Sequence, residues 1–141
     1  MKKVLIVEDS QPVRQHICEV LTEAGFAAVE AVDGLDGLEQ LRALAAASAA
    51  AGGNAPVDGV GAGTGFDLVL CDVNMPRMGG IDLLEEVKRA GLVTPFLMLT
   101  SEAVPTLMRR ARAAGAAAWV VKPVKPALLV STITKLIGPP S

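Results

Sequence analysis

The sequence is poor in aromatic residues: 141 residues hold no Tyr, one Trp and three Phe. Proteins that grip single-stranded nucleic acid stack its bases on aromatic side chains, so no such platform can be built here. Neither sign of charge dominates. Thirteen Lys and Arg against 15 Asp and Glu give a net charge of −2, which leaves no global basic footprint for DNA or RNA. The two cysteines, Cys18 and Cys71, have no metal-binding spacing and are too few for a disulfide framework, as suits a reducing cytoplasm. Long apolar runs are missing too. Val4–Val7 follows two lysines but stops at Glu8-Asp9, too short for a signal-peptide core. No stretch of about 18 apolar residues lacks a charge or a breaker, so no membrane insertion is expected.

What remains is a chain of one domain's length. Hydrophobic residues make up 51% and charged residues 20%, enough to build a core and too apolar for a disordered chain. Strand and helix patterns alternate. Short apolar runs at Val4–Val7, Ala27–Ala31, Phe66–Cys71, Pro95–Leu99 and Ala117–Val121 read as strands. Helical patterns lie between and after them. Ser10 and Pro12 open the first, with Val13, Ile17, Val20 and Leu21 on one stripe and Gly25 after its end. Leu35, Leu38, Leu41 and Leu44 begin a second, after a turn at Asp33-Gly34. Ile81–Ala90 carries Ile81, Leu84, Val87 and Lys88 at helical spacing, Val104–Ala114 has Pro105 near its start, and Pro126–Ile137 ends at Gly138-Pro139-Pro140.

Residues 45–65 break the rhythm, since 14 of these 21 are Ala or Gly. The first alanines extend the second helix, and the rest has too little apolar bulk to offset its ordering entropy, which predicts a mobile inserted loop. Five β–α units imply an α/β fold, a doubly wound parallel sheet with helices on both faces. Ligands of such sheets sit at the carboxyl ends of the strands.

Those ends carry a distinctive set. The first strand ends in Glu8-Asp9, the third in Asp72 followed by Asn74, the fourth in Thr100-Ser101 and the fifth in Lys122. Three converging carboxylates repel one another unless a cation joins them. Oxygen ligands with room for water suit Mg²⁺. A lysine and a hydroxyl nearby suit a phosphoryl group, and a carboxylate among them could be an aspartyl-phosphate nucleophile. Each piece has a plainer reading: Glu8-Asp9 as solvated turn acids, Asp72 and Thr100-Ser101 as caps, Lys122 as a loop lysine. The set at successive strand ends is what points to chemistry.

With those residues in view, the sequence resembles the receiver domain of two-component response regulators, and among them single-domain chemotaxis-type regulators. The matching segments are VLIVEDSQPVR (4–14), FDLVLCDVNMPRMGGIDLL (66–84), PFLMLTSE (95–102) and AGAAAWVVKP (114–123). The resemblance implies a flavodoxin-like five-stranded parallel sheet in order 2-1-3-4-5 with five helices, one receiver domain over 1–141 interrupted by the Ala/Gly-rich insertion. It implies that Asp72 accepts a phosphoryl group from a sensor histidine kinase or phosphotransfer protein. Asp9, Asp72 and the Asn74 backbone carbonyl would ligate Mg²⁺, and Glu8 would do so through a water. Lys122 and Thr100 would hold phosphoryl oxygens, and a cis bond before Pro123 would aim Lys122 inward. Thr100 and Trp119 would form the switch, Ser101 leaves the phosphoryl entry path open, and Asn74 and Glu102 would tune a moderate to fast self-dephosphorylation. The output would be a partner protein docking on helix 4, strand 5 and helix 5, where Arg109, Arg110 and Arg112 cluster. Such a protein is cytoplasmic, touches no nucleic acid, and catalyses only its own phosphorylation and dephosphorylation.

The chain departs from the family pattern at several positions. Glu8 stands where two aspartates are common, Val124 where an aromatic often follows Lys-Pro, and Trp119 where Tyr or Phe is usual. Trp119 reads otherwise as a plain core residue, and His16 as a surface residue. The chain stops shortly after the last helix, so the expected output is another protein or an onward phosphotransfer. Three other readings compete. An aspartate-nucleophile phosphatase wants a second Asp where Asn74 stands. A flavin-binding electron carrier wants a Ser/Thr/Gly-rich loop where Glu8-Asp9-Ser10 stands. A receiver-like interaction module would take no phosphate.

Overall fold

A computed structural model describes residues 2–50, 62–63, 65–75, 77–101 and 104–140. The first strand, β1 (Lys3–Val7), leads into α1 (Gln11–Glu23), then β2 (Ala27–Ala31) and α2 (Gly34–Ala50). After them come β3 (Leu68–Asp72), α3 (Gly80–Arg89), β4 (Phe96–Thr100), α4 (Pro105–Ala113), β5 (Ala118–Val121) and α5 (Pro126–Ile137). The five strands form one parallel sheet in order β2-β1-β3-β4-β5. One feature was not expected: Ala62–Gly63, inside the segment read as a loop, pairs in parallel with Leu92–Val93. The rest of that loop reading, residues 51–61 and 64, lies outside the described residues.

The strands are apolar throughout because both faces of the sheet are covered. Their side chains alternate between two separate cores. Leu5, Val7, Val69, Cys71, Phe96 and Met98 join Leu38, Leu41, Ile81, Leu83, Leu84, Val87 and Ala111, the side of α2, α3 and α4. Val4, Ile6, Leu68, Leu70, Leu97, Leu99 and Val120 join Ile17, Leu21, Leu129 and Ile133, the side of α1 and α5. Burying one of these leucines or isoleucines contributes about 1.5–3 kcal/mol, which is why their spacing dictates helix orientation. Lys88 does not share the α3 stripe. It is exposed, and Leu83 is the buried residue there.

The helix ends obey local rules. Ser10 occupies the N-cap of α1, but its side chain makes no capping bond. Instead its backbone N–H donates to Glu8 Oε1 at 3.1 Å. Val104, not Thr100 or Ser101, is the N-cap of α4. Both chain ends meet at the amino edge of the sheet, where the Lys2 N–H donates to the Pro140 carbonyl at 2.9 Å.

Candidate functional site

The register of the sheet assembles the site. Val7 pairs with Cys71, and Asp72 pairs with Leu99. Glu8, one residue past Val7, therefore stands beside Asp72 across the β1–β3 boundary, where the strand order reverses and crevices open in such sheets. Thr100 ends β4 and pairs with Val121, so Lys122 leaves β5 one residue beyond. From there its Nζ donates to Asp72 Oδ2 at 2.8 Å and to Glu8 Oε2 at 3.0 Å. Side chains from β1, β3 and β5 thus meet in one hydrogen-bonded triad.

Burial makes this triad electrostatically consequential. Glu8 is 0% exposed, Asp72 5% and Thr100 1%. Burial pushes the Glu8 carboxyl up to about 7; the Lys122 bond opposes the rise and the Asp72 charge adds to it. Burial pulls the Lys122 ammonium down, but its bonds to Asp72 and Glu8 outweigh that and hold its pKa above the ordinary lysine value. The neighbouring Cys71 thiol is pushed far up by burial, then by Asp72 and Glu8, so it is no nucleophile.

Asp9 is exposed, yet carboxylate oxygens of Glu8, Asp9 and Asp72 lie within 4.8 Å of one another. Three hard oxygen donors at that separation, two of them buried and only one lysine among them, fit a divalent cation such as Mg²⁺. Asp72 uses its second oxygen as a local cap, accepting the Asn74 N–H at 3.1 Å on Oδ1. The capping and the ionic readings of Asp72 therefore both apply. The Lys122–Pro123 peptide bond is cis. Ser101 and Pro123 are exposed. Glu102 lies outside the described residues.

Trp119 sits on β5 opposite Met98, on the strand row before Asp72, and packs against the α3–α4 core. Its indole Nε1 is buried and has no hydrogen-bond partner among the described residues. The basic cluster of α4 is partly committed: Arg110 Nη2 donates to Asp82 Oδ1 at 2.8 Å and Glu85 Oε1 at 2.5 Å on α3. Arg109 and Arg112 are exposed, as is His16. Leu128 on α5 is 53% exposed.

Two arginines at the rim escaped the reading of the sequence. Arg14 Nη1 donates to the Glu8 carbonyl at 2.7 Å while its Nε donates to Glu30 Oε1 at 3.0 Å. Arg77 Nε donates to Asp33 Oδ2 at 2.6 Å. Both reach acids on or just after β2. Their partners lie 16 and 44 residues away in sequence, so no local pattern could have joined them; the only sequence signal was a cation in the first turn of α1 and another in the segment after β3, each close in sequence to site residues.

The comparisons agree with this geometry. Residues 4–134 match the response regulator receiver domain family. The transcriptional regulatory protein PdtaR of Mycobacterium tuberculosis is 35% identical over 132 residues, covering 94% of this chain and 55% of that protein. The chain thus spans about half the length of that curated relative. The sensory/regulatory protein RpfC of Xanthomonas campestris is 35% identical over 75 residues, covering 50% of this chain and 10% of that one. Among solved structures, the chemotaxis protein CheY4 of Vibrio cholerae superposes with a TM-score of 0.75 at 32% identity, covering 96% of this chain and 98% of its own. A CheY-like receiver domain protein of Methanospirillum hungatei gives a TM-score of 0.74 at 26% identity, covering 96% and 92%. With the family model matching residues 4–134 and the sheet order common to such folds, the chain belongs to the response regulator receiver domain family.

Proposed function

We propose that this chain is a phosphorylation-activated signalling switch in which Asp72 takes a phosphoryl group from a histidine on a partner kinase or phosphotransfer protein. The observation that carries this reading is the position of Lys122, bonded at once to Asp72 and Glu8 with the Asp9 carboxylate in ligand range. Asp72 is the nucleophile. Its Oδ2 attacks phosphorus, the bond to the donor nitrogen breaks, and the histidine leaves with its electron pair. Lys122 swings from the carboxylates to the phosphoryl oxygens, and Thr100 offers its hydroxyl to one of them. Mg²⁺, held by Asp9, Asp72 and the Asn74 carbonyl with Glu8 acting through a water, would offset charge on the transferring oxygens. Asn74 and Glu102 set the rate at which water removes the group again.

Phosphorylation adds about −1.5 to −2 charges and three acceptor oxygens. Turning a two-state equilibrium from 1:99 to 99:1 takes about 5.5 kcal/mol. Two or three hydrogen bonds to a charged group, at about 1.5–3 kcal/mol each, supply it. Thr100 drawn inward vacates room for Trp119, and the α4–β5–α5 surface shifts for an output protein. The similarity to CheY4 favours a chemotaxis-type output. No helix among the described residues is long and apolar enough to cross a membrane, in keeping with a cytoplasmic switch. The chain acts on itself rather than turning over substrate: a phosphatase of the aspartate-nucleophile class wants an acid at Asn74. The test is labelling by a small phosphodonor such as acetyl phosphate in Mg²⁺. Wild type takes up one phosphoryl group and Asp72→Asn takes up none; labelling of the variant at the same segment would refute the assignment.

A further inference from the structure

The segment between β3 and α3 is locked from outside the acidic crevice. Arg77 has φ 66, a left-handed conformation that a non-glycine residue adopts only when its surroundings hold it there. What holds it is the 2.6 Å bond from its Nε to Asp33 Oδ2. Asp33 is itself fixed, because its Oδ1 accepts the Asp36 N–H at 2.9 Å and its carbonyl accepts the Gly37 N–H at 3.0 Å in the first turn of α2. Next to it, a Cβ on Gly34 would come within 2.3 Å of the Met78 carbonyl. Arg77 and Met78 are therefore both seated on the start of α2. The same segment begins with Asn74, whose N–H is bonded to the phosphoacceptor.

We propose that Arg77 is a positioning residue: its ion pair with Asp33 fastens the segment after β3 to the start of α2 and so keeps the Asn74 backbone set beside Asp72 for the divalent cation. The inference rests on the phosphoryl-switch reading for the identity of that cation. It concerns a residue that touches neither the cation nor the phosphoryl group. Partners of metal ligands typically change affinity by about 10–100-fold. Arg77 is 57% exposed on its side chain, and exposure weakens such a pair, so the effect belongs at the lower edge, about three- to tenfold.

The decisive variant is Arg77→Gly. Glycine accepts the left-handed backbone without penalty, so the fold is kept while the tether is lost. Mg²⁺ titration by calorimetry, with no phosphodonor present, should show the dissociation constant rising about three- to tenfold while the melting temperature holds or rises. Asp33→Asn keeps the cap of α2 but weakens the pair. It should raise the constant in wild type and add nothing in the Arg77→Gly background, because the two act through one bond. Equal Mg²⁺ affinity in Arg77→Gly and wild type, or additive effects of the two substitutions, overturns the tether. Wild type that binds no Mg²⁺ at all overturns the phosphoryl-switch reading, and the tether with it.

Discussion

At the scale of the residue, Lys122 is the group on which the resting site balances. It supplies the one ammonium bonded to two buried carboxylates. Taking away one partner of a buried ionic cluster leaves charge uncompensated, at about 3–5 kcal/mol, unless the survivors take up protons. Lys122→Ala should therefore bind protons more tightly at Glu8 and accept phosphoryl groups far more slowly. Acetyl phosphate labelling in Mg²⁺ measures the second effect. Trp119 offers an intrinsic reporter, since it is the single Trp of the chain. Its Nε1, without a partner among the described residues, and its place one strand row from Asp72 make its emission sensitive to the state of the crevice. Addition of Mg²⁺ or beryllofluoride should shift its fluorescence, and an unchanged spectrum from folded protein would contradict the coupling. The acids and the lysine were legible in the sequence because each ends an apolar run, and a run that ends in charge marks the rim of a parallel sheet. Arg77 and Asp33 were not legible: Asp33-Gly34 looked like a bare turn, and nothing in a linear pattern announces a left-handed arginine.

At the scale of the element, α3 begins in close contact with the strand that carries Asp72. A Cβ on Gly80 would stand 2.3 Å from the Asp72 carbonyl and 2.9 Å from Met98 Cε. Backbone cannot yield as a flexible side chain can. Gly80→Ala should then cost about 1–3 kcal/mol, as overpacking does, and should impair phosphorylation by displacing Asp72. Thermal melts and labelling of the same sample test both halves. The α3–α4 clamp through Arg110 is a different case. Its side chains are 48%, 56% and 37% exposed, so Arg110→Gln should change stability by less than about 1 kcal/mol. The helices themselves were readable from their stripes: Ser10 caps α1 as read, though without a side-chain bond, and α4 starts one residue later than read because Val104 is its N-cap. Lys88 shows the limit of spacing as a guide: it keeps helical register, yet it is exposed, because periodicity gives a stripe and not its rotation about the axis.

At the scale of the whole molecule, the buried Glu8 couples folding to pH. Its carboxyl stands at about 7 in the folded protein against 4.5 ordinarily. Between those values the folded state holds a proton that the unfolded state has released, so in EDTA stability should fall as pH rises from about 4.5 to about 7 and level off above. Mg²⁺ favours the ionised site and should flatten that slope, and Glu8→Gln should remove its share altogether. Denaturation curves across this range, with and without Mg²⁺, measure the difference; a wild type and variant with parallel profiles would deny Glu8 its raised value. The strand order followed from five β–α units and the family pattern. The short Ala62–Gly63 pairing did not, because two residues without bulk carry no periodicity to read.

The meeting of Lys2 with Pro140 at the amino edge of the sheet has a practical corollary. The strands run about 3.3 Å per residue, so the five residues of β1 put roughly 16 Å between that corner and the acidic crevice. A label placed at Lys2 or Pro140, whether an affinity handle or a surface linkage for biosensing, therefore sits at the pole away from Asp72 and leaves the mouth of the crevice clear.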